Sequence, residues 1–194
     1  MSSPTGGAGA PAARWPGYAA AVWGLVFAAP SFYWAIGGLT GAASTVSPSL
    51  VKLAQQRDPG IVAALWVTGA LKLAGALLGL ALARRRQSGR WPGRVLQFLA
   101  WGAGVLLIWH GVLFVGDGLL VQAHVLAMSP DLRAVSRWYT YLWGPWFVLG
   151  GLAFVQAARA GRRRTIDRHA ATAAIAGGVG AAVLSAGALV VGLG

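Results

Sequence analysis

Of 194 residues, 57% are hydrophobic and only 10% charged, too little charge for the surface of a water-soluble domain of this length; the composition is that of an integral membrane protein. The 16 Lys and Arg stand against four Asp and no Glu, but these cations fall in short windows between apolar runs with no base-stacking platform among them, which argues against nucleic-acid binding. Cys is absent, which removes disulfide frameworks and thiolate metal sites.

The opening MSSPTGGAGAPAA is rich in Pro, Gly and Ala without periodicity, and residues 1–16 are expected to form a disordered tail. Residues 17–194 then read as one all-α transmembrane domain of five helices, since about 20 apolar residues make one helical crossing. The first span, 17–39, lacks the small-residue cleavage pattern of a signal peptide and is read as retained. The second, 61–83, carries Lys72 eleven residues from either end. The third, 95–120, continues as an apolar run to Met128, which predicts a tilted helix or one that projects beyond the bilayer. The fourth, 138–158, opens on the aromatic run WYTYLWGPWF. The fifth, 170–193, is rich in Gly and Ala, a composition suited to close helix packing and to self-association.

Cations near helix ends are retained on the cytoplasmic side. Arg84, Arg85, Arg86, Arg90 and Arg94 occupy one loop and Arg159, Arg162, Arg163, Arg164 and Arg168 another, whereas the alternate connections hold only Lys52 with Arg57 and Arg133 with Arg137. The N-terminus is therefore expected in the cytoplasm and the C-terminus outside, in a multi-pass protein of a bacterial inner membrane whose first partners are membrane lipids.

Lys72 and His110 lie deep in this scheme, and Asp117 close to the outer interface. A charge at the depth of Lys72 costs roughly 2.5–3.5 kcal/mol on insertion scales, so the side chain should point into the bundle. Its face continues through Thr68, Gly69, Gly75, Ala76 and Gly79, small residues that invite a close neighbour. On the third span His110, Asp117 and His124 recur every seven residues and so share one face. An ion pair of Lys72 with Asp117, with His110 beside it, is the expected arrangement, and these three are the candidate catalytic residues, for proton transfer. The competing reading makes them a structural polar cluster, with His110 bonded to a carbonyl and Asp117 capping a helix break between Gly116 and Gly118.

The external half also gathers aromatic residues. Trp138, Tyr139 and Tyr141 fit a headgroup-level belt. Trp34, Trp143 and Trp146 lie deeper, beside Pro30 and Pro145, whose missing N–H groups free carbonyls; together with Tyr33 and Trp109 they are the candidate wall of a ligand site.

The runs SFYWAIGG, ALKLAG and RWYTYLWGPWFVLGG resemble the small bacterial membrane proteins grouped as domain-of-unknown-function family 3995, loosely over residues 20–158. The resemblance implies a polytopic helical membrane protein and no particular activity. Members often carry His where this chain has Ser31, so no imidazole role is carried over to that position.

No HExxH, G-x-S-x-G, Walker loop or dinucleotide fingerprint occurs, and no cofactor is implied. A zinc site from His110, Asp117 and His124 fails because ligands about 10 Å apart along a helix cannot share one ion. Two functions remain: a binding or enzymatic site for a lipophilic small molecule in the external half, or a structural subunit of a homo-oligomer or membrane complex, with no chemistry of its own.

Overall fold

The computed structural model describes residues 14–84 and 90–162. Residues 1–13 of the expected tail and the fifth span, 170–193, lie outside the described residues; Trp15 and Pro16, placed in the tail, already belong to the first helix. What is described is all-helical: α1 (Trp15–Ala35), a 3-10 turn (Ala42–Ser44), α2 (Pro48–Gln55), α3 (Pro59–Arg84), α4 (Arg90–Gln122), α5 (Pro130–Trp138), a π-helical turn (Tyr139–Trp143) and α6 (Gly144–Arg162).

The ends of these helices follow from local chemistry. Pro16 opens α1, where its missing N–H is not needed, and Gly37 closes it at φ +112°, with Gly38 N–H donating to the Tyr33 carbonyl and Gly37 N–H to that of Trp34. That cap ends the helix four residues before the expected 39. The same pattern closes α4, but the left-handed position is taken by His124 at φ +58°, with Val125 N–H donating to the Leu120 carbonyl. His124 is thus an exposed helix stop. Helix α4 is 33 residues long and, at about 1.5 Å per residue, longer than a hydrocarbon core is thick. The fourth expected span lies within a continuous helical run from Pro130 to Arg162. Its π turn stands just before Pro145, which cannot supply the next α-type N–H; Gly144 N–H donates instead to the Tyr139 carbonyl.

Two tight helix pairs make the core. In α1 against α3, Gly17 meets Ala83, Gly24 meets Ala76 and Gly79 meets Ala21; a Cβ added to Gly24 would stand 2.8 Å from the Ala76 nitrogen. In α4 against α6, Gly104 meets Gly151 and Val155, and Gly111 meets Gly144 and Val148. Aromatic rings of α1 and α6 join the pairs: Trp23 stacks on Trp146 with centroids 6.1 Å apart and donates its indole N–H to the Trp146 carbonyl at 2.8 Å. Consecutive α3 and α4 touch only sparsely.

Two of these helices, Pro59–Arg84 and Val95–Gln122, are long and apolar enough to cross a membrane. Most of each lies on the surface, with Trp66, Val67, Leu71, Phe98, Trp109 and Val112 exposed. A core helix of a soluble protein would bury such side chains, so these two helices support membrane association.

The connections opposite the Arg-rich ends form a cap over the bundle. Asp131 accepts from the backbone N–H and the hydroxyl of Ser49, and that hydroxyl holds its carboxyl below the usual carboxylate range. Tyr139 donates its hydroxyl to the Thr45 carbonyl, Trp143 its indole N–H to Ser44 at 2.6 Å, and Trp34 its indole N–H to Thr40 at 3.0 Å. The segment 40–45 is thus held down by three aromatic donors rising from two helices.

Candidate functional site

Side chains on a helix lean toward its N-terminus, and α3 begins at the cap, so Lys72 reaches up along α1 from the middle of its own helix. Its Nζ donates to Ser31 Oγ at 2.9 Å and lies 3.8 Å from the centroid of the Phe27 ring. Phe27 and Ser31 are one helical turn apart on α1, both buried, and Ser31 is only 1% exposed. Lys72 itself is half-buried.

From Phe27 the rings continue across the bundle. Phe27 meets Phe147 edge to face at 5.0 Å, Phe147 meets His110 at 5.1 Å, and His110 meets Phe114 at 4.3 Å. Lys72 on one helix pair and His110 on the other therefore flank a single edge-to-face Phe pair. Trp143 lies against Phe27 at 5.9 Å and Trp146 against Trp23, which places both at the seam between α1 and α6. The Trp146 indole nitrogen is buried with no hydrogen-bond partner.

The expected Lys72–Asp117 ion pair is not formed. Lys72 takes Ser31 instead, and Asp117 is exposed on α4. The physical reason is the packing order: the small-residue face of α3 closes on α1, not on α4, which removes the facing helix that the pairing required. Of the other expected site residues, Trp34 is buried beneath the cap, Tyr33 is exposed with its hydroxyl 3.2 Å from Thr40 Oγ1, and Trp109 is exposed. The aromatic residues expected as one wall are thus distributed over the cap, the seam and the outer face. Phe27, Phe114 and Phe147 were not singled out in the sequence, and Ser31 was noted only as the position where family members carry His, although it is the one aliphatic hydroxyl of an apolar helix. Among the described residues no three of His, Asp, Glu or Cys come together to hold a metal ion.

The ammonium of a half-buried lysine, a buried hydroxyl and a ring face suit the binding of a polar or charged head, with aromatic edges beyond for an apolar body. Over residues 24–154, the stretch that contains all of these groups, the sequence matches the model of family DUF3995, described as protein of unknown function. The chain belongs to this family. No curated protein and no solved structure matches it. Membership in DUF3995 therefore covers the site, and the chemistry has to be argued from the residues themselves.

Proposed function

We propose that this DUF3995 member is a multi-pass protein of the cell membrane with five spans, N-terminus cytoplasmic and C-terminus external, whose external half binds a lipophilic small molecule between the α1/α3 and α4/α6 pairs. The cation count supports the orientation: Arg14 and the ten Arg of segments 84–94 and 159–168 belong to the end opposite the cap, against Lys52, Arg57, Arg133 and Arg137 in the cap connections. Since the chain has no Cys, single cysteines at Ser88, Ser136 and Thr165 can be labelled in intact cells without background. A membrane-impermeant maleimide is expected to reach only position 136; labelling of 88 or 165 before lysis would reverse the orientation.

The observation that carries the binding reading is the Lys72 ammonium, held inside the bundle by a hydroxyl and a ring face with no carboxylate in partnership among the described residues. Buried charges are ordinarily paired, and a helix bundle gains nothing by leaving one without a counter-charge. His110 and Lys72, facing one ring pair from opposite sides, supply the proton donors and acceptors that conversion of a bound molecule would use. The alternative of an accessory subunit draws support from Trp34 and Trp143, whose indole N–H groups hold the cap.

Mass spectrometry of the full chain purified in mild detergent separates the two. A specific lipophilic compound is expected with the wild type and with Trp138→Leu, whose ring is exposed, and is expected to be lost from Phe147→Leu at unchanged fold. Retention of bulk phospholipid alone by the wild type would leave the accessory role.

A further inference from the structure

We infer that the molecule held in this site is a single-chain amphiphile with a carboxylate head, seated on the Lys72 ammonium and the Ser31 hydroxyl, with its chain along the rings of Phe27, Phe147 and Phe114. The inference rests on the binding reading above and adds the chemical class of the ligand.

Three counts lead to it. The first is charge: Lys72 contributes one positive charge, and no Asp shares an ion pair with it among the described residues. A monoanion balances the site, whereas a phosphomonoester would bring a second charge. Arg57, the cation at the top of α1, is turned to the Trp34 carbonyl at 3.5 Å.

The second count is hydrogen-bond donors. The ammonium has three, of which Ser31 Oγ takes one and the Phe27 ring face another. Ser31 accepts from Lys72, and that is the only hydrogen bond of its side chain among the described residues, so its own O–H is left without an acceptor in a position 1% exposed. An N–H and an O–H side by side, both lacking acceptors among the described residues, match the two oxygens of one carboxylate.

The third is depth and access. Ser31 lies four residues before the end of α1, so the site is about 6 Å, roughly one helical turn, beneath the cap. That is below the level at which phosphodiester headgroups sit, yet within reach of a small head drawn in from the external leaflet. The α1/α3 seam is closed by the contact of Gly24 with Ala76, while α3 and α4 touch only sparsely, so a head entering from the α3/α4 side would not have to part a glycine seam.

The test uses the full chain in nanodiscs of phosphatidylcholine, with oleic acid, methyl oleate, oleoyl lysophosphatidic acid and phosphatidylglycerol as probes, each quantified by mass spectrometry after gel filtration. Oleate is expected to bind the wild type about tenfold or more tightly than its methyl ester, the lower end of what a charge-assisted hydrogen bond supplies. It is also expected to outcompete both phosphate lipids. The preference for acid over ester should vanish in Lys72→Met, survive in Lys72→Arg, and fall several-fold in Ser31→Ala. Equal binding of acid and ester by the wild type, which requires no variant to fold, overturns the carboxylate assignment, as does a preference that survives Lys72→Met. Tighter binding of either phosphate lipid overturns it too. If acid and ester bind equally and both are lost from Phe147→Leu, a lipophile site exists and only the ligand class is wrong; if no probe is retained, both readings fall.

Discussion

Gly24→Leu is expected to leave little or no folded protein. At this position α1 crosses α3 with backbone against backbone: an added Cβ would stand 2.8 Å from the Ala76 nitrogen, 2.9 Å from its Cα and 3.0 Å from its Cβ. Overpacking a core ordinarily costs about 1–3 kcal/mol because side chains move aside. Main-chain atoms of a helix cannot move without carrying their neighbours, and Gly79 with Ala21 and Gly17 with Ala83 lock the same seam over the next two turns toward the start of α1. The cost should therefore exceed about 3 kcal/mol, a large share of the 5–15 kcal/mol that holds an ordinary domain together. Gly24→Ala should already lower the melting temperature, whereas Gly116→Ala, with nothing within 4 Å of the new Cβ, should not, and Gly75→Ala, whose Cβ would meet only the Phe154 ring at 3.9 Å, should be close to neutral. The readout is expression and thermal unfolding in detergent. A Gly24→Leu protein that melts with the wild type would mean that α1 and α3 are not in contact.

That seam also shows how far the sequence could be read. Gly69, Ala76 and Gly79 were recognisable as a small-residue face because helical periodicity fixes which residues share a face. Periodicity does not say which helix arrives there, and the arrival of α1 rather than α4 is what gives Lys72 its actual partner. Thr68, expected on the same face, is exposed. Seven-residue spacing did place His110, Asp117 and His124 on one line, but a line 14 residues long crosses several environments. His110 lies among rings, Asp117 faces outward and His124 ends the helix in a left-handed conformation. The belt expectation separates in the same way: Trp138 and Tyr141 are exposed, while the π turn rotates Tyr139 inward to the Thr45 carbonyl. Pro145 made a local break foreseeable, and the direction in which the break turns each aromatic depends on contacts distant in sequence.

Replacing both members of the polar pair, Lys72→Met with Ser31→Ala, is expected to raise the stability of the ligand-free protein by about 1–3 kcal/mol, because a buried ionic group exchanged for well-packed apolar ones is often neutral or stabilising. The single variants should behave differently. Lys72→Met removes a buried charge but leaves the Ser31 hydroxyl buried without a partner, at about 1–3 kcal/mol, so its melting should stay near that of the wild type. Ser31→Ala leaves the ammonium with the Phe27 ring alone and forfeits a charged hydrogen bond, about 1.5–3 kcal/mol, so it should destabilise. Asp117→Asn, a change on an exposed face, should stay within about 0.5 kcal/mol of the wild type and add to Lys72→Met without coupling. The measurement requires delipidated protein, since any bound molecule stabilises the form that binds it. A double variant less stable than either single one would make the pair a structural latch between α1 and α3. A double variant more stable than the wild type yet unable to retain a ligand would mean that the bundle tolerates Lys72 and Ser31 at a thermodynamic cost, and a polar group kept at such a cost within an apolar helix pair is one whose partner comes from outside the chain.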